Sequence, residues 1–201
     1  MKNVRGVVFD FGGVMTTCIM PERVRPIVRE LGIPWEALET GFAKYRRQMD
    51  GGFMTMEEMY ARIWADAGVT IDAATQRRVR DADLASFLYP NLRTLAWMRA
   101  LKARGYRIGI LTNMPPEMAG EFRRTFGDFI SLADALVISG EERLYKPMRE
   151  IYDLLRTRIG LPAETLCFVD DAEPNCQGAR DAGWQALRFV TNEQAEREFE
   201  A

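Results

Sequence analysis

Five short apolar runs, each ending in polar or charged residues, constrain this chain more than any other feature. They fall at about 4–9, 107–111, 135–138, 165–169 and 185–190, and helical patterns separate most of them. Runs this short and rich in Val, Ile, Leu and Phe suit buried strands and cannot span a bilayer. A parallel strand pair needs a crossover, and the crossover helix covers the sheet. The alternation therefore predicts an α/β fold, a parallel sheet with helices on both faces.

Between the first and second runs no strand pattern competes. Val24, Ile27, Val28 and Leu31 form one helical stripe, closed by Gly32 and Pro34. Leu38, Phe42, Tyr45 and Met49 form a second, closed by Gly51-Gly52. Met56, Met59, Tyr60, Ile63, Trp64 and Ala67 form a third, with Thr55 as its cap and Glu58 three residues on. A weaker helical segment runs from Asp72 to about Leu88. The chain thus divides into an α/β core, 1–15 and 87–201, and a helical bundle inserted at 16–86. The many Met and aromatic residues of the insert stand at helical spacing, which fits packing rather than a ligand pocket. In the second half, Ile151, Leu154, Leu155 and Ile159 mark a helix, with Pro147 at an early position and Gly160 and Pro162 at its end.

Composition narrows the chemistry. None of the 201 residues is histidine. Ser-His-Asp and Cys-His nucleophile systems are excluded, and so are imidazole zinc sites. Reactions must come from carboxylates, lysine, hydroxyls, thiols or a bound cation. A net charge of −2 gives no basic footprint for nucleic acid or an anionic membrane. Cys18, Cys167 and Cys176 are odd in number and lack metal-ligand spacing, so reduced thiols are expected. Cys167 sits in an apolar run and reads as core. The N-terminus runs straight into a strand rather than a signal peptide, which makes the cytoplasm the expected compartment.

In open parallel sheets, ligands bind beyond the carboxyl ends of the strands. The chemistry-bearing residues gather at those ends. Asp10, Gly12 and Gly13 follow the first run, and Thr112 and Asn113 follow the second. Lys146 lies in the loop after the third, and Asp170 and Asp171 close the fourth. Taken singly, each suits a helix cap or an ordinary turn. Three converging aspartates, however, repel one another unless a cation and a lysine neutralise them. Oxygen donors without His or Cys point to Mg²⁺.

These four clusters resemble, in order and placement, the four motifs of the haloacid dehalogenase-like superfamily. The stretch Phe168-Val169-Asp170-Asp171-Ala172-Glu173-Pro174-Asn175 is particularly similar to the fourth motif. The first, Asp-Phe-Gly-Gly-Val, resembles that of a small sugar-phosphatase-like branch. The resemblance implies a Rossmann-like core with the helical insert as a mobile cap. It implies a Mg²⁺-dependent phosphatase acting on a small phosphorylated substrate through an aspartyl phosphate on Asp10. Thr112 would bond the phosphoryl group, with Gly12, Gly13 and Asn113 beside it, and Lys146 would balance charge. Asp10, Asp171 and the Gly12 carbonyl would hold the metal directly, and Asp170 and Asn175 would hold its waters.

One departure stands out. Most phosphatases of this family carry a second aspartate where this chain has Gly12, and that side chain moves protons. Its loss predicts a steep dependence of rate on leaving-group basicity, a flat dependence marking a donor elsewhere. Two alternatives follow: a 2-haloacid dehalogenase, which the Asp170-Asp171 pair argues against, and a catalytically weak binding or regulatory protein. The loop Met49–Thr55 is the expected part of the insert to reach the cleft.

Overall fold

Val7, Val8 and Phe9 expose no surface, so β1 (Gly6–Phe9) must be covered on both faces. In the computed structural model, which describes residues 1–17 and 20–201 and of Met20 and Pro21 the backbone, β1 is the middle of a five-stranded sheet. Its companions are β2 (Arg107–Thr112), β3 (Ala135–Ile138), β4 (Leu166–Asp170) and β5 (Gln185–Arg188). The order is β3-β2-β1-β4-β5, and every pair is parallel. The first run, expected from about residue 4, forms a strand from Gly6, with Arg5 already bonded to both sides through Thr165 O at 2.8 Å and the Arg107 amide at 2.9 Å.

The sheet divides the core by the two-residue period of a strand. Val7 and Phe9 face one cluster with Trp97, Phe122, Phe126 and Phe199, while Val8 faces another with Tyr152, Leu155 and Trp184.

The insert consists of α1 (Met20–Glu30), α2 (Trp35–Asp50), α3 (Met56–Asp66) and α4 (Ala73–Ser86). Val24, Leu38, Met49, Met59, Tyr60 and Trp64 form a hydrophobic cluster of its own. Thr55 and Glu58 make the reciprocal cap that their spacing predicts.

After the insert come α5 (Leu92–Ala103), α6 (Pro116–Thr125), α7 (Gly127–Ile130), α8 (Ser139–Glu142), α9 (Arg149–Ile159), α10 (Glu173–Asp181) and α11 (Asn192–Glu200). Pro147 is not an early residue of α9: it precedes the N-cap, Met148, and its peptide bond with Lys146 is cis.

The chain crosses between core and insert at two adjacent points. Thr16 and Pro90 form an antiparallel bridge. Thr16 Oγ1 lies 2.8 Å from both the Phe87 and Tyr89 carbonyl oxygens, and the Asn91 amide donates to Met15 O at 2.8 Å.

Cys167 and Cys176 are buried free thiols, and burial pushes the Cys167 thiol up to about 12. Cys18 lies outside the described residues. Among those residues, no helix is long and apolar enough to cross a membrane.

Candidate active site

Strand order reverses about β1, with β2 and β3 on one side and β4 and β5 on the other. A parallel sheet opens a crevice at such a switch point. Asp10 follows β1 and Asp170 ends β4, so pairing of these two strands alone sets two carboxylates side by side.

Local geometry then aims them. Asp10 Oδ1 accepts from the Phe11 amide at 2.6 Å and takes Lys146 Nζ at 2.7 Å. Both contacts fall on one oxygen, which sets the plane of the carboxylate. Phe11 anchors the turn by packing edge-on against Phe122 and Phe126, with ring centroids 5.0 and 4.8 Å away. Gly13 takes φ +73°, in the left-handed region, and a Cβ there would stand 2.6 Å from Asp171 Oδ2. Glycine is thus required twice over, by conformation and by space. Gly12 differs. Its φ is −64°, and among the described residues a Cβ would meet only the edge of the Phe87 ring, at 3.8 Å.

Lys146 is the hub of the site. Only 1% exposed, its Nζ reaches Asp170 Oδ2 at 2.7 Å as well as Asp10. Asn113 holds the lysine's backbone: Lys146 N donates to Asn113 Oδ1 at 2.7 Å, and Asn113 Nδ2 donates to Lys146 O at 3.1 Å. That side-chain amide, expected beside the substrate, is engaged at both ends by the Lys146 loop. Asp170 is fully buried, and Oδ1 accepts from the Ala172 amide at 2.8 Å. Asn175 Nδ2 lies 3.1 Å from both Asp170 oxygens. Thr112 ends β2 with its Oγ1 buried and without a hydrogen-bond partner among the described residues. A buried hydroxyl so placed suits an arriving ligand oxygen.

Charge balance favours a cation. Asp10, Asp170 and Asp171 each offer an oxygen within 4.8 Å of the others, against the single lysine. Burial, then the Asp170 charge, hold the Asp10 carboxyl well above the usual carboxylate range, and Lys146 only partly offsets them. Asp171 is the exposed member, yet desolvation, then the Asp170 charge, raise its pKa too. Burial alone would lower the Lys146 pKa, but the charges of Asp10 and Asp170 outweigh it and hold the ammonium above its ordinary value. This all-oxygen set, with excess negative charge, fits a hard divalent cation such as Mg²⁺.

The insert meets the site through the end of α2. Ser139 Oγ donates to the Asp50 carbonyl and accepts from the Met114 amide at 2.8 Å. A Cβ on Gly51 would press on Tyr145, and one on Gly52, whose φ is +71°, would lie 2.5 Å from Gly140 O. The loop expected at the cleft thus abuts the Lys146 segment.

Sequence reasoning overlooked Ser139 and the polar group behind the loop. In that group Tyr60 Oη donates to Asp83 Oδ2 at 2.8 Å, and Arg46 pairs with Asp83 at 3.1 Å and Asp50 at 3.5 Å. The one signal for it is polar residues, Arg46, Asp50 and Asp83, set among the helical apolar stripes.

Known proteins resemble this chain in sequence and in fold. The chain is 26% identical over 197 residues to an (S)-2-haloacid dehalogenase of Pseudomonas putida, covering 92% of this chain and 83% of that one. It is 24% identical over 196 residues to a D-ribitol-5-phosphate phosphatase of Bacteroides thetaiotaomicron, covering 92% and 91%. Its fold matches that of a HAD family enzyme of Bacteroides thetaiotaomicron, solved in complex with magnesium and inorganic phosphate. The TM-score is 0.75 at 19% identity, over 98% of this chain and 99% of the other. Residues 4–183 match the family description "haloacid dehalogenase-like hydrolase". With a parallel sheet that carries its aspartates at the switch point, this chain belongs to the haloacid dehalogenase-like hydrolases.

Proposed function

We propose that the chain is a Mg²⁺-dependent phosphatase for a small phosphate monoester, a phosphorylated sugar or polyol being the leading class. The observation that carries this reading is the lysine-bridged aspartate pair with a third carboxylate beside it. Asp10 attacks phosphorus, forming an aspartyl phosphate that water then hydrolyses. Lys146 stays protonated throughout and steadies the charge on Asp10 and on the phosphoryl oxygens. Thr112 Oγ1, with no protein partner of its own, donates to one of those oxygens. Gly12 and Gly13 let the backbone approach closely. Asn113 keeps Lys146 in position. Asp10, Asp171 and the Gly12 carbonyl would hold the metal, with Asp170 and Asn175 behind them. Bound Mg²⁺ supplies charge neutralisation for the carboxylates and the phosphoryl group. The helical insert acts as a cap over the site.

A haloacid dehalogenase also uses an aspartate nucleophile, and some relatives carry that name. That chemistry needs no metal, and beside the nucleophile two further carboxylates would only add repulsion. Assays on phosphate esters and on chloroacetate, with and without Mg²⁺, separate the readings. Ester hydrolysis abolished by chelator is expected. Metal-independent halide release without ester hydrolysis would overturn the phosphatase reading.

A further inference from the structure

Gly12 leaves the site without the side chain that would ordinarily protonate a departing alcohol, so efficient cleavage of an alkyl ester needs an acid from elsewhere in the fold. Phe87 lies against the place where a residue-12 side chain would begin, 3.8 Å from the Cβ position. The Arg46 guanidinium stands over the Phe87 ring, 5.5 Å from its centre. Arg46 Nε lies 3.5 Å from Asp50 Oδ1, and that oxygen is buried without a hydrogen-bond partner among the described residues. The backbone of Asp50 is fixed on the core side, because its carbonyl accepts from Ser139 and its neighbour Gly51 is pressed on Tyr145, next to Lys146. A buried acid with an unspent oxygen thus reaches the Gly12 turn through Arg46 and Phe87, and adjoins the Lys146 loop through Gly51 and Tyr145.

We propose that Asp50 is the proton donor to the leaving group, supplied from the helical insert in place of a side chain at position 12. This rests on the phosphatase reading above. In the first step an Asp10 oxygen bonds to phosphorus and the ester P–O bond breaks. The leaving oxygen takes the Asp50 proton, giving the alcohol and an Asp50 carboxylate. In the second, water bonds to phosphorus, its proton passes to Asp50, and the bond between phosphorus and Asp10 breaks to release phosphate. Ester and water become alcohol and phosphate, and both aspartates return to their starting states.

The acidity suits the task. Burial raises the Asp50 pKa from an ordinary 3.8 to about 6, and the Asp83 charge assists while Arg46 and Lys146 oppose. These facing groups come from α2, α4 and the loop after β3. A catalytic acid works best with its pKa near the working pH.

The test is a leaving-group series with Mg²⁺, from nitrophenyl to simple alkyl phosphates, on the wild type, Asp50→Asn and Gly12→Asp/Asp50→Asn. The wild type should show a shallow dependence of kcat on leaving-group basicity. Asp50→Asn should lose about 10²–10⁴-fold on alkyl esters and less than about tenfold on nitrophenyl esters. Gly12→Asp in that background should restore alkyl ester hydrolysis, since among the described residues a Cβ at Gly12 meets nothing nearer than the Phe87 ring at 3.8 Å. Equal loss on both ester classes would overturn the role of Asp50 and leave the phosphatase reading standing. A steep dependence already in the wild type would do the same, even if the variants fail to fold. A wild type inert on every ester would instead remove the phosphatase reading, and this proposal with it.

Discussion

Asp10 and Lys146 meet at 2.7 Å with almost no water access, so each charge depends on the other. Asp10→Asn removes the proposed nucleophilic carboxylate while Lys146 keeps Asp170 as partner. Turnover should fall by more than about 10³-fold with the fold intact, read by circular dichroism. Beryllium fluoride should raise the Tm of the wild type and leave that of the variant unchanged; substantial residual turnover would sink the covalent mechanism. Asp50 carries a separate linkage. Its folded pKa of about 6 exceeds the ordinary 3.8, so the folded state binds this proton more tightly. The resulting stability is fully present below pH 3.8 and is lost as pH rises through about 6. Asp50→Asn should therefore match the wild type near pH 3.8 and exceed it at pH 7, by up to about 3 kcal/mol, in denaturant melts at both values. The roles of Gly13 and Asn113 differ in how readily a sequence betrays them. Gly13 follows a strand-end aspartate, and its turn is a local steric matter, legible from neighbours in the chain. Asn113 joins Lys146 across 33 positions, and Ser139 joins Asp50 across 89, contacts that only the folded topology creates.

Helices and strands declared themselves where one face is buried over several turns, as in α2 and α3, or where the run is apolar throughout, as in β1 and β4. Pro147 reads from the sequence as an early helix residue, yet it precedes the N-cap, because a proline near a helix start satisfies the same local pattern inside or just before the first turn. The crossing between insert and core gives a test at this scale. Thr16 ties the two connecting segments through the Phe87 and Tyr89 carbonyls, and these segments would bend if the insert closes as the proposed cap. Amide exchange at Thr17 and Asn91, both bonded across the crossing, should slow when a phosphate analogue and Mg²⁺ bind. Equal exchange with and without them would describe a fixed lid. At the other end of the insert, Gly52→Ala should push the α2–α3 loop off Gly140, since φ is +71° and the new carbon would lie 2.5 Å from a carbonyl oxygen. The expected result is a rise in KM larger than the fall in kcat.

For the whole molecule, the proposed metal site would link cation binding to folding. A cation that binds only the folded chain stabilises it in proportion to the logarithm of its concentration. Mg²⁺ should raise the Tm, and Asp171→Asn should abolish most of that rise, as followed by scanning calorimetry. An unchanged rise would remove Asp171 from the ligand set. The sheet order was not legible in advance, because short parallel runs of similar composition carry no mark of which neighbours they choose. The adjacent crossing points have a consequence for the history and engineering of this chain. Thr16 and Pro90 are bridged antiparallel, the arrangement that a tight hairpin would connect. Joining Thr17 to Tyr89 through about two residues should yield a smaller, still folded protein, visible by dispersed amide signals in NMR. The helical segment thus enters and leaves the chain at one seam, and a different module could be sewn in there without disturbing a single rung of the sheet.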